Sequence, residues 1–180
     1  MPVAGFKTWE ALLSGIWLTA CAWAATPIDP APAGATELTV AGALRLPRTE
    51  IDGLALAGLS ALAWDADEQR LYAVSDFGRL FHLRPVFDGD RLVDAELLAG
   101  FPLTDARGRA LRPPWTDAEG LTLRHGTNGI RGDSELLISY ERRPRIRRYT
   151  PEGRRLDGLA LPPPLADVNA YADPNQALEA

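Results

Sequence analysis

From residue 58 to residue 98 the chain reads GLSALAWDADEQRLYAVSDFGRLFHLRPVFDGDRLVDAELL. Four apolar runs, 58–64, 70–75, 79–83 and 91–98, are set apart by DADEQ, by DFG and by a turn at Asp88-Gly89-Asp90. Runs this short, rich in Leu, Val and Tyr and bounded by Gly, Pro and Asp, predict strands joined by tight turns. A helix would need about ten or more residues with apolar positions at helical spacing. A second block follows the same plan: EGLTLRH (119–125), a loop to residue 134, ELLISY (135–140), RIRRYT (145–150) and RRLDGLAL (154–161). Gly58 and Gly120 lie 120 − 58 = 62 residues apart, and the terminal ALEA sets Glu179 opposite Glu119, a step of 179 − 119 = 60. Four strands per unit at such a period predict an all-β propeller array. LSALAW and ELLISY are apolar on both faces, as strands between neighbouring sheets are. A β-sandwich core is the alternative that also permits such runs.

A closed propeller takes about four to eight blades. The chain offers about two blades and the start of a third, so the expectation is an incomplete piece truncated at its C-terminus. A first strand is expected at 37–46, ahead of the repeats.

The 180 residues are 46% hydrophobic and 24% charged, ordinary globular values. The net charge of −5 argues against a nucleic-acid partner, which requires a basic surface. A single cysteine, Cys21, excludes an internal disulfide framework and multi-cysteine metal sites. Lys7 is the one lysine, leaving 19 − 1 = 18 arginines, which suit carboxylate and phosphate recognition.

Residues 1–24 read as an export signal. Lys7 precedes an apolar run, Ala11–Ala20, that is too short to span a bilayer and fits a signal core. Ala22-Trp23-Ala24 offers a cleavage site releasing a soluble chain from Ala25. Leu18-Thr19-Ala20-Cys21 resembles a lipoprotein box, in which Cys21 would carry a lipid anchor to the membrane. Both readings place the mature protein in the periplasm or outside the cell. Residues 25–36 are a Pro/Ala-rich spacer, and 37–180 form the β domain.

Hairpin topology gathers acids at one edge. Strand 120–125 and strand 135–140 run antiparallel, so Glu119 and Glu141 meet at the same end. The same argument brings Asp76, Asp117 and Glu179 to that rim. Crowded carboxylates bind a cation, share a proton or pair with arginine. An all-oxygen set favours Ca²⁺ over softer metals. Arg142 and Arg145, close behind Glu141, are candidates to clamp an anionic substrate.

Other features read as structural. The run RRPRIRRY (142–149) offers an anion patch as one reading, but alternation puts its arginines on a solvated outer strand. His82 and His125 sit inside strands as packed or surface residues. Asp65-Ala66-Asp67-Glu68 and Asp88-Gly89-Asp90 are hairpin turns, and Arg131-Gly132-Asp133 is an incidental loop tripeptide. No GxSxG elbow is present, which makes Ser60 and Ser75 poor nucleophiles.

Five segments in order, Gly58-Leu59-Ser60, Val74-Ser75-Asp76-Phe77-Gly78, Asp117-Ala118-Glu119-Gly120-Leu121, Ser139 to Ile146, and Asn175 with Leu178-Glu179-Ala180, resemble the bacterial phytase-like family, labelled "esterase-like activity of phytase". The resemblance covers residues 40 to 180, with Ala177 standing where glycine is usual. It implies an exported β-propeller, six-bladed in the family. It also singles out Glu119 and Glu141, each within a family motif, as the catalytic pair. The expected function is metal-assisted hydrolysis of a small anionic phosphate or other ester. Asp76, Asp117, Glu119, Glu141 and Glu179 would hold Ca²⁺, and Arg142 and Arg145 would orient the anion. A non-catalytic binding propeller of the cell envelope, or an inactive fragment, is the alternative.

Overall fold

The computed structural model describes residues 40–173 and 176–178. The leader with Cys21, the spacer, Asn175 and Glu179 lie outside the described residues.

The described chain is all-β. A small hairpin, β1 (Glu50–Ile51) and β2 (Leu54–Ala55), comes first. Sheet one follows as β3 (Leu59–Asp65), β4 (Arg70–Ser75), β5 (Arg79–Asp88) and β6 (Arg91–Pro102). Sheet two is β7 (Ala118–Arg124), β8 (Glu135–Tyr140), β9 (Arg145–Tyr149) and β10 (Arg155–Leu159). Each sheet is an antiparallel meander in chain order. Short helical turns, α1 (Pro163–Ala166) and a 3₁₀ turn (Val168–Ala170), come after. A closed propeller is not shown by these two sheets.

The apolar runs fold as strands because their side chains meet across one seam. Tyr72, Val74 and Leu80 of sheet one face Leu136, Ile138, Tyr140 and Tyr149 of sheet two in a shared core with Leu103 and Ala118. Tyr140 and Tyr149 pair their buried hydroxyls at 2.7 Å, which satisfies both polar tips inside that core. On the far face of sheet one, Ala73, Phe81 and Leu83 pack with Leu56, and Leu46, Ile51 and Leu54 lie over them.

The seam is locked at one end by acids. Asp65, fully buried, accepts hydrogen bonds from the amides of Asp67 and Glu68 and from Ser134 Oγ (2.6 Å). Asp67 accepts from the amides of Asn128 and Gly129, and Glu68 from that of Gly132. The turn after β3 thus grips the loop between β7 and β8. These acids are structural, as expected of a hairpin turn, but they serve the neighbouring sheet as well as their own.

Four expectations need correction. Residues 40–46 form no strand; they lie along β6, where the Leu92 amide donates to Ala41 O (3.2 Å). The second face of β3 is not buried among the described residues, since Leu62 is 57% and Trp64 43% exposed. His125 follows β7 rather than sitting in it, at φ 66°. The repeat is also offset. Leu59 pairs with Ser75 and Ala118 with Tyr140, so Ser60 corresponds to Glu119, a step of 119 − 60 = 59, and Gly58 to Asp117 rather than to Gly120.

Candidate metal centre

The first strand of each sheet begins with the same irregularity. In sheet two the register slips between Ala118 and Gly120, so Glu119 is an extra residue bulged out of the ladder. In sheet one the slip falls between Leu59 and Ala61, at Ser60. A bulge re-aims its side chain, a common device beside functional sites. Ser60 Oγ donates to Ala118 O at 2.5 Å, tying the two bulged ends together.

The residues flanking these bulges are fixed by equivalent backbone bonds. The Glu141 amide donates to Asp117 O (3.1 Å), and the Asp76 amide donates to Gly58 O (3.0 Å). Glu141 and Asp76 therefore hold matching positions, each just past the second strand of its sheet. Asp117, Glu119 and Glu141 each present a carboxylate oxygen, and these atoms lie within 4.8 Å of one another. Glu141 is buried, whereas Asp117 and Glu119 are half-buried.

Asp76 completes the acid end of the seam. Burial, and next the negative charge of Asp117, raise its carboxyl above the ordinary 3.8, against the pull of the Phe77 amide and Arg79. Its Oδ1 is buried and accepts no hydrogen bond. Three acids within reach of one ion, with a fourth close enough to feel them, form an oxygen-only donor set that suits a hard cation. The cluster could bind a metal ion, and that is the chemistry its composition favours.

The arginines are placed differently from one another. Arg142 Nε stands 2.8 Å from Asp117 Oδ2, in ion-pair contact without the alignment of a hydrogen bond. Arg145 lies 3.7 Å over the Tyr140 ring and donates to Arg143 O (2.8 Å) and Trp115 O (2.6 Å). Burial pulls its guanidinium down to about 10. The solvated-strand reading of 142–149 is corrected here: β9 is an inner strand, Arg145 and Arg147 are half-buried, and Arg148 is held between Glu135 and Asp157.

His82 is the packed residue expected. Its Nε2 donates to Pro151 O (2.7 Å), its ring meets Tyr72 edge-on, and burial lowers its pKa below 6.5. Gly58 also belongs to the site, and a Gly just before a strand is its readable signal in the sequence. It sits at φ +61°, and a Cβ there would lie 2.1 Å from Asp76 Oδ1. Near the expected fifth acid, the Leu178 carbonyl accepts from Ser139 Oγ (2.9 Å), whereas Glu179 itself is not described.

An all-β chain of repeated antiparallel sheets with a carboxylate cluster at the start of a sheet's first strand is the class these features define. Residues 54–180 match the Phytase-like family, described as esterase-like activity of phytase, and the chain belongs to that family. No curated protein and no solved structure matches it.

Proposed function

We propose that the protein is an exported, metal-dependent hydrolase of small anionic esters, with its two sheets as consecutive blades of a β-propeller. The observation that carries the reading is the convergence of Asp117, Glu119 and Glu141 within 4.8 Å. Family membership supports ester hydrolysis as the reaction class. Calcium is the cation proposed, because every donor is a carboxylate oxygen.

Asp117, Glu119 and Glu141 would hold the ion, with Asp76 and Glu179 as further acids of the same rim. A bound divalent cation supplies charge neutralisation and a more acidic water. The protein's own part is to fix the carboxylates before substrate arrives. The bulge aims Glu119, and the Asp117 carbonyl holds Glu141 through its amide. Glu119 or Glu141 would take the proton from the attacking water, as a positioned carboxylate does. Arg142 is proposed to meet the substrate anion by exchanging its contact with Asp117. Arg145, whose terminal nitrogens hold backbone carbonyls, shapes the adjoining wall and adds positive field. Export through residues 1–24, with Cys21 lipidated or cleavage after Ala24, belongs to the same proposal.

The test measures melting temperature and hydrolysis of p-nitrophenyl phosphate and p-nitrophenyl acetate, in calcium and in chelator. The expected result is a calcium-dependent rise in melting temperature and a calcium-dependent rate, both lost in Glu119→Gln and Glu141→Gln. A protein indifferent to chelator in both measurements would overturn the reading.

A further inference from the structure

A second feature lies outside the acid cluster. Sheet two and the connection between β6 and β7 enclose a cleft of about 690 Å³ lined by Arg109, Arg112, Arg145, Arg147, Arg155 and Asp105. Asp105 is taken by Arg109, through Nε at 2.9 Å and Nη2 at 2.7 Å. Arg145 donates to the carbonyls of Arg143 and Trp115, and Arg147 to that of Ile146. Five guanidiniums and a single carboxylate therefore line one cleft in a chain whose net charge is −5.

The strands build this arrangement. Alternation along β9 sends Arg145, Arg147 and Tyr149 to one face, and Arg155 stands opposite Tyr149 on β10. Gly158 makes room for Arg147, because a Cβ there would lie 2.3 Å from Arg147 Nη1. Arg155 Nε is buried with no hydrogen-bond partner. A buried donor without an acceptor is costly, and more so when it is charged. Burial, and next the charge of Arg155, also lower Arg147 below its ordinary value.

We propose that this cleft binds a compact oxyanion carrying two or more negative charges, in a site that requires no metal. Planar guanidinium forks pair bidentately with phosphate and carboxylate oxygens alike. Arg112 comes from the connection and Arg147 and Arg155 from the sheet, so the ligand is approached from different elements. A monoanion would leave most of the charge unmet. The volume falls within the range of small-molecule sites, about 300–1,000 Å³. The proposal stands whether or not the acid cluster holds an ion.

Titration calorimetry of the full chain, at constant ionic strength and in chelator, tests it with pyrophosphate, citrate and acetate. Pyrophosphate or citrate should bind saturably and at least tenfold tighter than acetate. Preference between those two assigns the ligand as a phosphate or a polycarboxylate, and equal binding assigns charge as the determinant. Arg147→Gln and Arg155→Gln should each weaken binding at least tenfold, with circular dichroism checking the fold. Arg112→Gln, at an exposed position, gives the same readout should either sheet variant fail to fold. Glu119→Gln should leave anion affinity unchanged while removing the calcium response, which separates this site from the metal reading. Absence of saturable binding, or binding indifferent to all three arginine changes, would overturn the proposal.

Discussion

At Gly58 a single hydrogen atom keeps the acid end of the seam open. Any side chain there would meet Asp76 Oδ1 and would also have to adopt φ +61°. Gly58→Ala should therefore destabilise the protein by about 1–3 kcal/mol, read by urea unfolding. Asp76 itself gives a pH test. Its folded pKa is raised, so the group favours the folded state below about 3.8 and that contribution is lost as pH rises through the folded value. In chelator, Asp76→Asn should raise the melting temperature at pH 7, and the gain should vanish towards pH 4. In calcium the same substitution should instead weaken the cation's effect. An Asp76→Asn protein no more stable than the parent at pH 7 in chelator would contradict the penalty of burying this charge beside Asp117.

The turn after β3 carries more than its own hairpin. Asp65 satisfies two amides and the Ser134 hydroxyl while fully buried. Asp65→Ala leaves those donors without an acceptor and should cost on the order of 3 kcal/mol in denaturant unfolding. Truncation of Ile138 in the shared core should cost about 2–5 kcal/mol by the same measurement. Strands of this kind are legible because turn residues mark their ends. ELLISY is β8 to the residue, and RLYAVS is β4. The hairpin of β1 and β2 escapes such reading, because two-residue strands carry no periodicity. The offset of 59 rather than 62 was also invisible, since the Gly-Leu pair precedes the bulge in sheet one and follows it in sheet two. The acid cluster was legible in part: antiparallel pairing brings Glu119 and Glu141 together. Of the arginine cleft only the run 142–149 stands out in the sequence, because Arg109, Arg112 and Arg155 join Arg145 and Arg147 only in the fold.

At the scale of the whole molecule, the two sheets are joined by a titratable contact. His82 of β5 reaches Pro151, in the turn between β9 and β10, and burial holds it neutral. Its folded pKa lies below 6.5, so its stabilisation is complete above that value and is lost as pH falls through the folded one. Melting temperature should decline as pH is lowered from 7 to 5, and the decline should be shallower in His82→Gln. An equally steep decline in that variant would remove His82 from the cause.

The paired bulges carry a consequence for how such a chain diverges. Each is a socket: one surplus residue projects from the ladder, while the strand beyond it stays in phase with its neighbour. One socket holds Ser60 and the other Glu119. Exchanging the occupant alters the chemistry at that end of the seam and leaves the pairing of β3 or β7 intact, so ligands can be gained or retired one sheet at a time.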